Sequence, residues 1–118
     1  MLFMLLIKAS VNSEAGHMPP EELQLAMRRY NEDLVRAGVR VMAKGLYPSA
    51  DSIRISYPAT QRDPIVTSGP FPVEGNLLAG FFLLDVVSKE EAVSWAMKAP
   101  DPQGFGEGQI ELRQVYEG

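Results

Sequence analysis

Four places in the chain carry side chains able to do chemistry. The first is Ser68-Gly69-Pro70-Phe71. Ser68 offers a hydroxyl donor and acceptor, Gly69 permits a tight backbone, Pro70 fixes it, and Phe71 can wall an apolar pocket. The plainer alternative is a rigid turn between two strands with Phe71 packed into the core, because Gly-Pro is foremost a turn signal. No base stands beside Ser68 in sequence, which argues against a serine nucleophile. The second is His17, the single histidine. Imidazole titrates near neutrality and can serve as a general base. Its only neighbouring acids are Glu14, Glu21 and Glu22, and the alternative is a solvated loop histidine. The third is Asp85, set in the otherwise apolar LAGFFLLDVV. A buried carboxylate needs a partner or a raised pKa, which would mark a site; at a strand end it simply faces solvent or an Lys or Arg. The fourth is Tyr30, on the apolar side of a helix, its hydroxyl either at the sheet edge or turned into a pocket with Ser68. His17, Ser68 and Asp85 are therefore the catalytic candidates. Tyr30, Ser68, Gly69, Pro70, Phe71 and Phe81 are the candidate ligand contacts.

Composition narrows the classes. A net charge of −4 with scattered basic residues lacks the electrostatic footprint of a nucleic-acid-binding protein. The absence of cysteine removes disulfides, thiolate catalysis and cysteine zinc sites, and fits a cytoplasmic address. One histidine and dispersed acids make no metal site, and no cofactor motif is present. Gly104 to Gly108 looks like a phosphate loop but follows a helix instead of preceding one, so it reads as a flexible loop or lid. MLFMLLI is too short to span a bilayer and lacks the flanks of a signal peptide, so no membrane partner is expected.

These residues must be held by a scaffold that can be read in order. Leu2 to Ile7 is a continuous apolar run, a strand covered on both faces. Lys8 to Met18 reads as a polar connection. Pro19 and Pro20 open a helix with Glu21 and Glu22 in its first turn. Leu23, Ala26, Met27, Tyr30, Leu34 and Ala37 form its apolar face, Arg28, Arg29, Glu32, Asp33 and Arg36 lie largely opposite, and Gly38 caps it. Val39, Val41 and Ala43 alternate with Arg40, Met42 and Lys44 as a half-buried strand. Ile53 to Tyr57 and Pro64 to Thr67 pair as a hairpin around the turn at Pro58 to Asp63. Leu78 to Val87 is a second strand apolar on both faces. Ser88 and Glu91 form a capping box for a helix that stops at Pro100, and Ile110, Leu112 and Val115 mark a closing strand.

The order is βαββαβ with a hairpin elaboration, an α+β domain over residues 1–118 with two helices on one face of an antiparallel sheet. Two strands apolar on both faces then need a second cover, and no third helix is available. A second copy of the chain, packed sheet to sheet about a two-fold axis, is the expected partner. It would bury roughly 600–800 Å² per subunit.

The ordered set NEDLVRAG, GLYPS, TSGPF, LAGFF, SKEEAVSWA and GEGQIELRQVYE resembles the YCII-related superfamily, and within it the DGPF-domain branch, nearly end to end. The resemblance implies a ferredoxin-like fold whose sheets pair into a dimeric α/β barrel. It also implies a link to extracytoplasmic-function sigma factors, and, from catalytic members similar to a dehydrochlorinase, a His–Asp pair in a cleft beside the sheet. The chain departs from the branch pattern. Ser68 stands where DGPF has its acid, and the usual TETKE run reads Pro72-Val73-Glu74-Gly75-Asn76. The first helix also has no histidine for a His–Asp pair. The expected function is a dimeric domain that binds a small metabolite or serves as an accessory or regulatory module. The alternative is a cofactor-independent enzyme acting on a small acid, such as an aromatic one.

Overall fold

A computed structural model describes residues 1–104 and 106–118. Four strands, β1 (Leu2–Lys8), β2 (Arg40–Gly45), β5 (Leu78–Asp85) and β6 (Ile110–Gln114), form one antiparallel sheet in the order β2-β5-β1-β6. The strands β3 (Ile53–Ser56) and β4 (Ile65–Ser68) form a separate two-stranded hairpin. With the hairpin set aside, this is the ferredoxin-like βαββαβ arrangement.

Strand alternation sorts the two faces. In the β1–β5 register, Phe3, Leu5 and Ile7 lie opposite Leu84, Phe82 and Gly80, while Leu2, Met4 and Leu6 lie opposite Asp85, Leu83 and Phe81. The first set carries the core. Helix α2 (Glu21–Arg36) sets Tyr30 and Leu34 on it, helix α3 (Lys89–Lys98) adds Ala92 with Trp95 and Ala96, and both helices share one cluster with Phe3, Leu5, Phe82 and Leu84. The rings of Tyr30 and Phe82 meet edge to face at 5.6 Å, and those of Tyr30 and Trp95 at 6.5 Å. Burying these side chains drives the helices onto this face.

The second set has no such cover. Leu2, Met4, Leu6, Phe81 and Leu83, with the exposed Met42 from β2, line the open face of the sheet. Glu111 and Arg113 of β6 edge it, paired opposite Leu6 and Met4. The hairpin is equally bare, with Ile53 and Val66 both 61% exposed. One sheet with one helical layer gives extents of 49 × 39 × 18 Å and a radius of gyration of 16.1 Å, against about 13.5 Å for a compact chain of this length.

Several local expectations are corrected. The stretch after β1 contains a short helix α1 (Val11–Glu14), capped reciprocally by Ser10 and Ser13; two serines three apart supply a box normally signalled by Ser/Thr and Glu/Gln. In β2 a bulge between Arg40 and Met42 breaks the alternation, so Val41 is exposed while Ala43 stays on the core face. Ser88 accepts the Glu91 N–H at 3.1 Å as expected, but the Glu91 carboxylate accepts from the Val87 N–H at 3.2 Å instead of from Ser88. Gly38 does adopt the left-handed conformation past the end of α2, at φ +73°, which glycine takes without a steric penalty. The glycine-rich loop can be followed except at Phe105, so its reading as a lid lies partly outside the described residues.

Candidate functional site

The Ser68–Phe71 stretch ends the hairpin, and its contacts are internal. Ser68 pairs with Ile53 at the end of β4 and is exposed. The Gly69 N–H donates to the Ser52 carbonyl at 2.8 Å. A β-carbon on Gly69 would collide with the Ser49 carbonyl oxygen, so the close approach of the two chain segments requires glycine. The Phe71 N–H donates to Ser49 Oγ at 2.8 Å, and the Phe71 ring lies under the Arg54 guanidinium at 4.0 Å. The buried Ser49 in turn donates its hydroxyl to the Glu14 carboxylate, which also accepts the Ser49 N–H at 2.9 Å. Ser49 thus clasps α1 to the turn after β4. The Gly69 and Phe71 N–H groups and the Phe71 ring are thus held by neighbours within the chain, a structural use of the Ser68, Gly69, Pro70 and Phe71 stretch beside the ligand-contact role expected for it.

The other predicted residues disperse. Asp85 ends β5, exposed, and pairs with the Met1 amine at 3.2 Å; its apolar neighbours did not bury it because the strand stops there. His17 is exposed, with Nδ1 3.1 Å from Asn12 Oδ1, while Asn12 Nδ2 donates to Glu107 at 2.8 Å. None of these groups is near Ser68 or Asp85 in a common cavity. Tyr30 is buried and its hydroxyl donates to the Trp95 carbonyl at 2.7 Å, a link from α2 to α3. Its proposed place in a pocket with Ser68 is therefore corrected to the core.

Burial pushes the Tyr30 phenol up from 10.0 to about 12. Below pH 10 the phenol is neutral in both folded and unfolded chains, and the contribution of its burial is intact. Between pH 10 and about 12 the unfolded chain releases a proton that the folded chain keeps, so stability falls as pH rises. Tyr30→Phe should flatten this part of the profile and cost about 1 kcal/mol at neutral pH, since the Trp95 carbonyl loses its donor. Urea unfolding at pH 7 and pH 11 checks both effects.

The concavity that does bring side chains together lies elsewhere. Between α2 and the β2 edge of the sheet is an open cleft of about 390 Å³, floored by Ile7, Ala43, Gly80 and Phe82. Helix α2 contributes Gln24, Met27, Arg28 and Asn31 at helical spacing, and β2 contributes Arg40. Arg40 Nη1 donates to Asn31 Oδ1 at 3.3 Å, closing one end. Gly80 is buried at the floor, where a β-carbon would press on the Lys44 carbonyl oxygen at 2.8 Å. The strand can hold this tight pairing with β2 only because that position has no side chain. Of the predicted ligand contacts, Phe81 alone is on this wall, and alternation along β5 turns its ring toward the open face. Arg28 is exposed, as its place opposite the apolar stripe implies, and it also borders this cleft. The signals that could have found the cleft were Gly80 inside an apolar strand and Asn31 one turn beyond Arg28 on the flank of the apolar stripe.

The cleft wall holds apolar atoms with two guanidiniums, two amides and the Lys44 amine, and has no aspartate, glutamate or histidine among its lining residues. It can bind and orient an anion, and it supplies no carboxylate or imidazole to move a proton. Among the described residues no set of three His, Cys, Asp or Glu could hold a metal, and no helix is long and apolar enough to cross a membrane.

No curated protein is similar enough to the chain to be matched with it. Among solved structures, the chain is similar to 5-chloro-2-hydroxyhydroquinone dehydrochlorinase (TftG) from Burkholderia phenoliruptrix AC1100, in complex with 2,5-dihydroxybenzoquinone. The TM-score is 0.54 at 15% identity, covering 100% of this chain and 96% of that one. At that identity the likeness concerns the fold. The YCII-related domain model matches residues 1–117, and the chain belongs to the YCII-related family.

Proposed function

We propose that the protein is a homodimeric binding domain that takes a small organic molecule into the cleft between α2 and β2. The observation that carries this reading is the cleft itself: an apolar floor with arginine and amide groups converging at one rim, the usual make-up of a small-molecule site. Within the family we place the chain in the DGPF branch on its TSGPF, GLYPS and LAGFF segments. In this member Ser49, from GLYPS, and Phe71, from TSGPF, are joined by a hydrogen bond, which supports a structural use for both.

The dimer reading is supported by the open face. Its apolar residues from β1, β2 and β5 form a continuous surface, and a second copy about a two-fold axis would bury it sheet to sheet as a dimeric barrel. The bare apolar hairpin extends the same requirement. Large contiguous exposed apolar surface is uncommon on a monomer.

A second reading, a cofactor-independent enzyme acting on a small aromatic acid, draws on the similar structure, whose name is that of a dehydrochlorinase and whose ligand is a flat oxygenated ring. The cleft wall of this chain lacks a carboxylate or imidazole for general acid–base work, so binding is the better-supported reading. A thermal-shift screen of organic acids and aromatic compounds, with mass spectrometry on each hit, tests the pair. Stabilisation without conversion is the expected result; turnover would favour the enzyme, and a screen without hits would remove the cleft as a ligand site.

A further inference from the structure

The charge around the cleft is out of keeping with the chain. The protein carries a net −4, yet the wall gathers Arg28, Arg40 and Lys44 with no carboxylate among them. Among the described residues the ion pairs use other cations, namely Lys8, Arg36, Arg113 and the Met1 amine. By alternation Lys44, opposite Phe81, points to the open face, while Ala43, opposite Phe82, faces the helices. The two arginines are left at the rim. Asn31 holds Arg40 through one nitrogen, which fixes the guanidinium and leaves its other N–H groups to donate. A planar fork of this kind matches a carboxylate in two-point geometry.

We infer, on the reading that the cleft is the ligand site, that it selects monoanionic carboxylic acids with a flat apolar body, aromatic acids above all. Arg40 and Arg28 hold the carboxylate, Asn31 sets the orientation of Arg40, and the ring lies on the floor formed by Ala43, Gly80 and Phe82 beneath Met27. The volume, near the lower end of the ~300–1,000 Å³ typical of small-molecule sites, suits one or two rings. A phosphate is a poorer match. It has no apolar body to lie on the floor of Ala43, Gly80 and Phe82.

The test is an NMR titration of the full chain, with methyl-labelled methionine and alanine, against benzoate, its neutral isostere benzamide, acetate and inorganic phosphate. Benzoate is expected to shift the Met27 and Ala43 methyl signals saturably, with benzamide at least tenfold weaker and acetate leaving Met27 unmoved. Arg28→Gln and Arg40→Gln, both at exposed positions, should each weaken benzoate about tenfold while leaving benzamide affinity unchanged. Benzamide binding as tightly as benzoate, phosphate displacing benzoate, or benzoate affinity unchanged in both variants would overturn acid selection with the cleft still a ligand site. If no probe moves Met27 or Ala43, the cleft itself is not the site and the inference falls with it.

Discussion

Leu83→Asp is expected to leave the fold intact and convert a dimer into a monomer. Leu83 sits on the open face of β5, between Met4 on one neighbouring strand and Met42 on the other. It makes no contribution to the buried cluster beneath the helices, so a carboxylate there remains solvated in a single chain. In a sheet-to-sheet dimer the same carboxylate lies in the apolar centre, where desolvation without a partner costs about 3 kcal/mol or more. That is over a hundredfold in the dissociation constant. Light scattering after size exclusion should give twice 13.0 kDa for the natural chain and 13.0 kDa for the variant. Circular dichroism should be the same for both. A natural chain already of 13.0 kDa at micromolar concentration, or a variant that stays at twice that mass, contradicts the covered-face account.

Ser49→Ala is expected to be the most destabilising single-atom deletion outside the hydrophobic core. Its hydroxyl donates to the Glu14 carboxylate and accepts the Phe71 N–H at 2.8 Å, inside a buried site. Deleting it removes one charge-assisted bond and one neutral bond, and leaves a half-buried carboxylate with the Ser49 N–H alone. The expected loss is about 2–4 kcal/mol, read as a lower urea midpoint with an unchanged slope. Glu14→Gln keeps the acceptor without the charge and should lose less. A midpoint within error of the natural chain for Ser49→Ala would show that the clasp does not hold α1 to the hairpin end.

The large-scale architecture was legible because it depends on burial pattern. Leu2 to Ile7 is apolar at every step and Leu78 to Val87 at every step but Asp85, which placed them at the middle of the sheet, where they are neighbours. The same pattern implied an uncovered face, and β1 and β5 leave one on the side away from α2 and α3. What was not legible is what depends on through-space contact. Glu14 and Ser49 lie 35 residues apart, and nothing in either local stretch announces that one accepts from the other. The β2 bulge has no residue signature, so Val41 reads as inward with Val39 and Ala43, and it alone of the three is exposed. Arg28 lies beside the apolar stripe of α2, and its relation to Arg40 emerges only when β2 returns along the helix. The Ser68–Phe71 turn was conspicuous in sequence because Gly and Pro are conspicuous; the reason for the glycine proved to be the backbone of Ser49.

The central claim is that ligand binding resides in the α2–β2 cleft and not at the Ser68 turn. The most direct measurement is calorimetric titration of the strongest acid from the thermal-shift screen into three proteins: the natural chain, Arg40→Gln and Ser68→Ala. Ser68 is exposed at the end of β4 and touches nothing in the cleft, so Ser68→Ala should bind as the natural chain does, while Arg40→Gln should lose about tenfold in affinity. Unchanged binding in Arg40→Gln together with lost binding in Ser68→Ala would contradict the account and return the site to the turn.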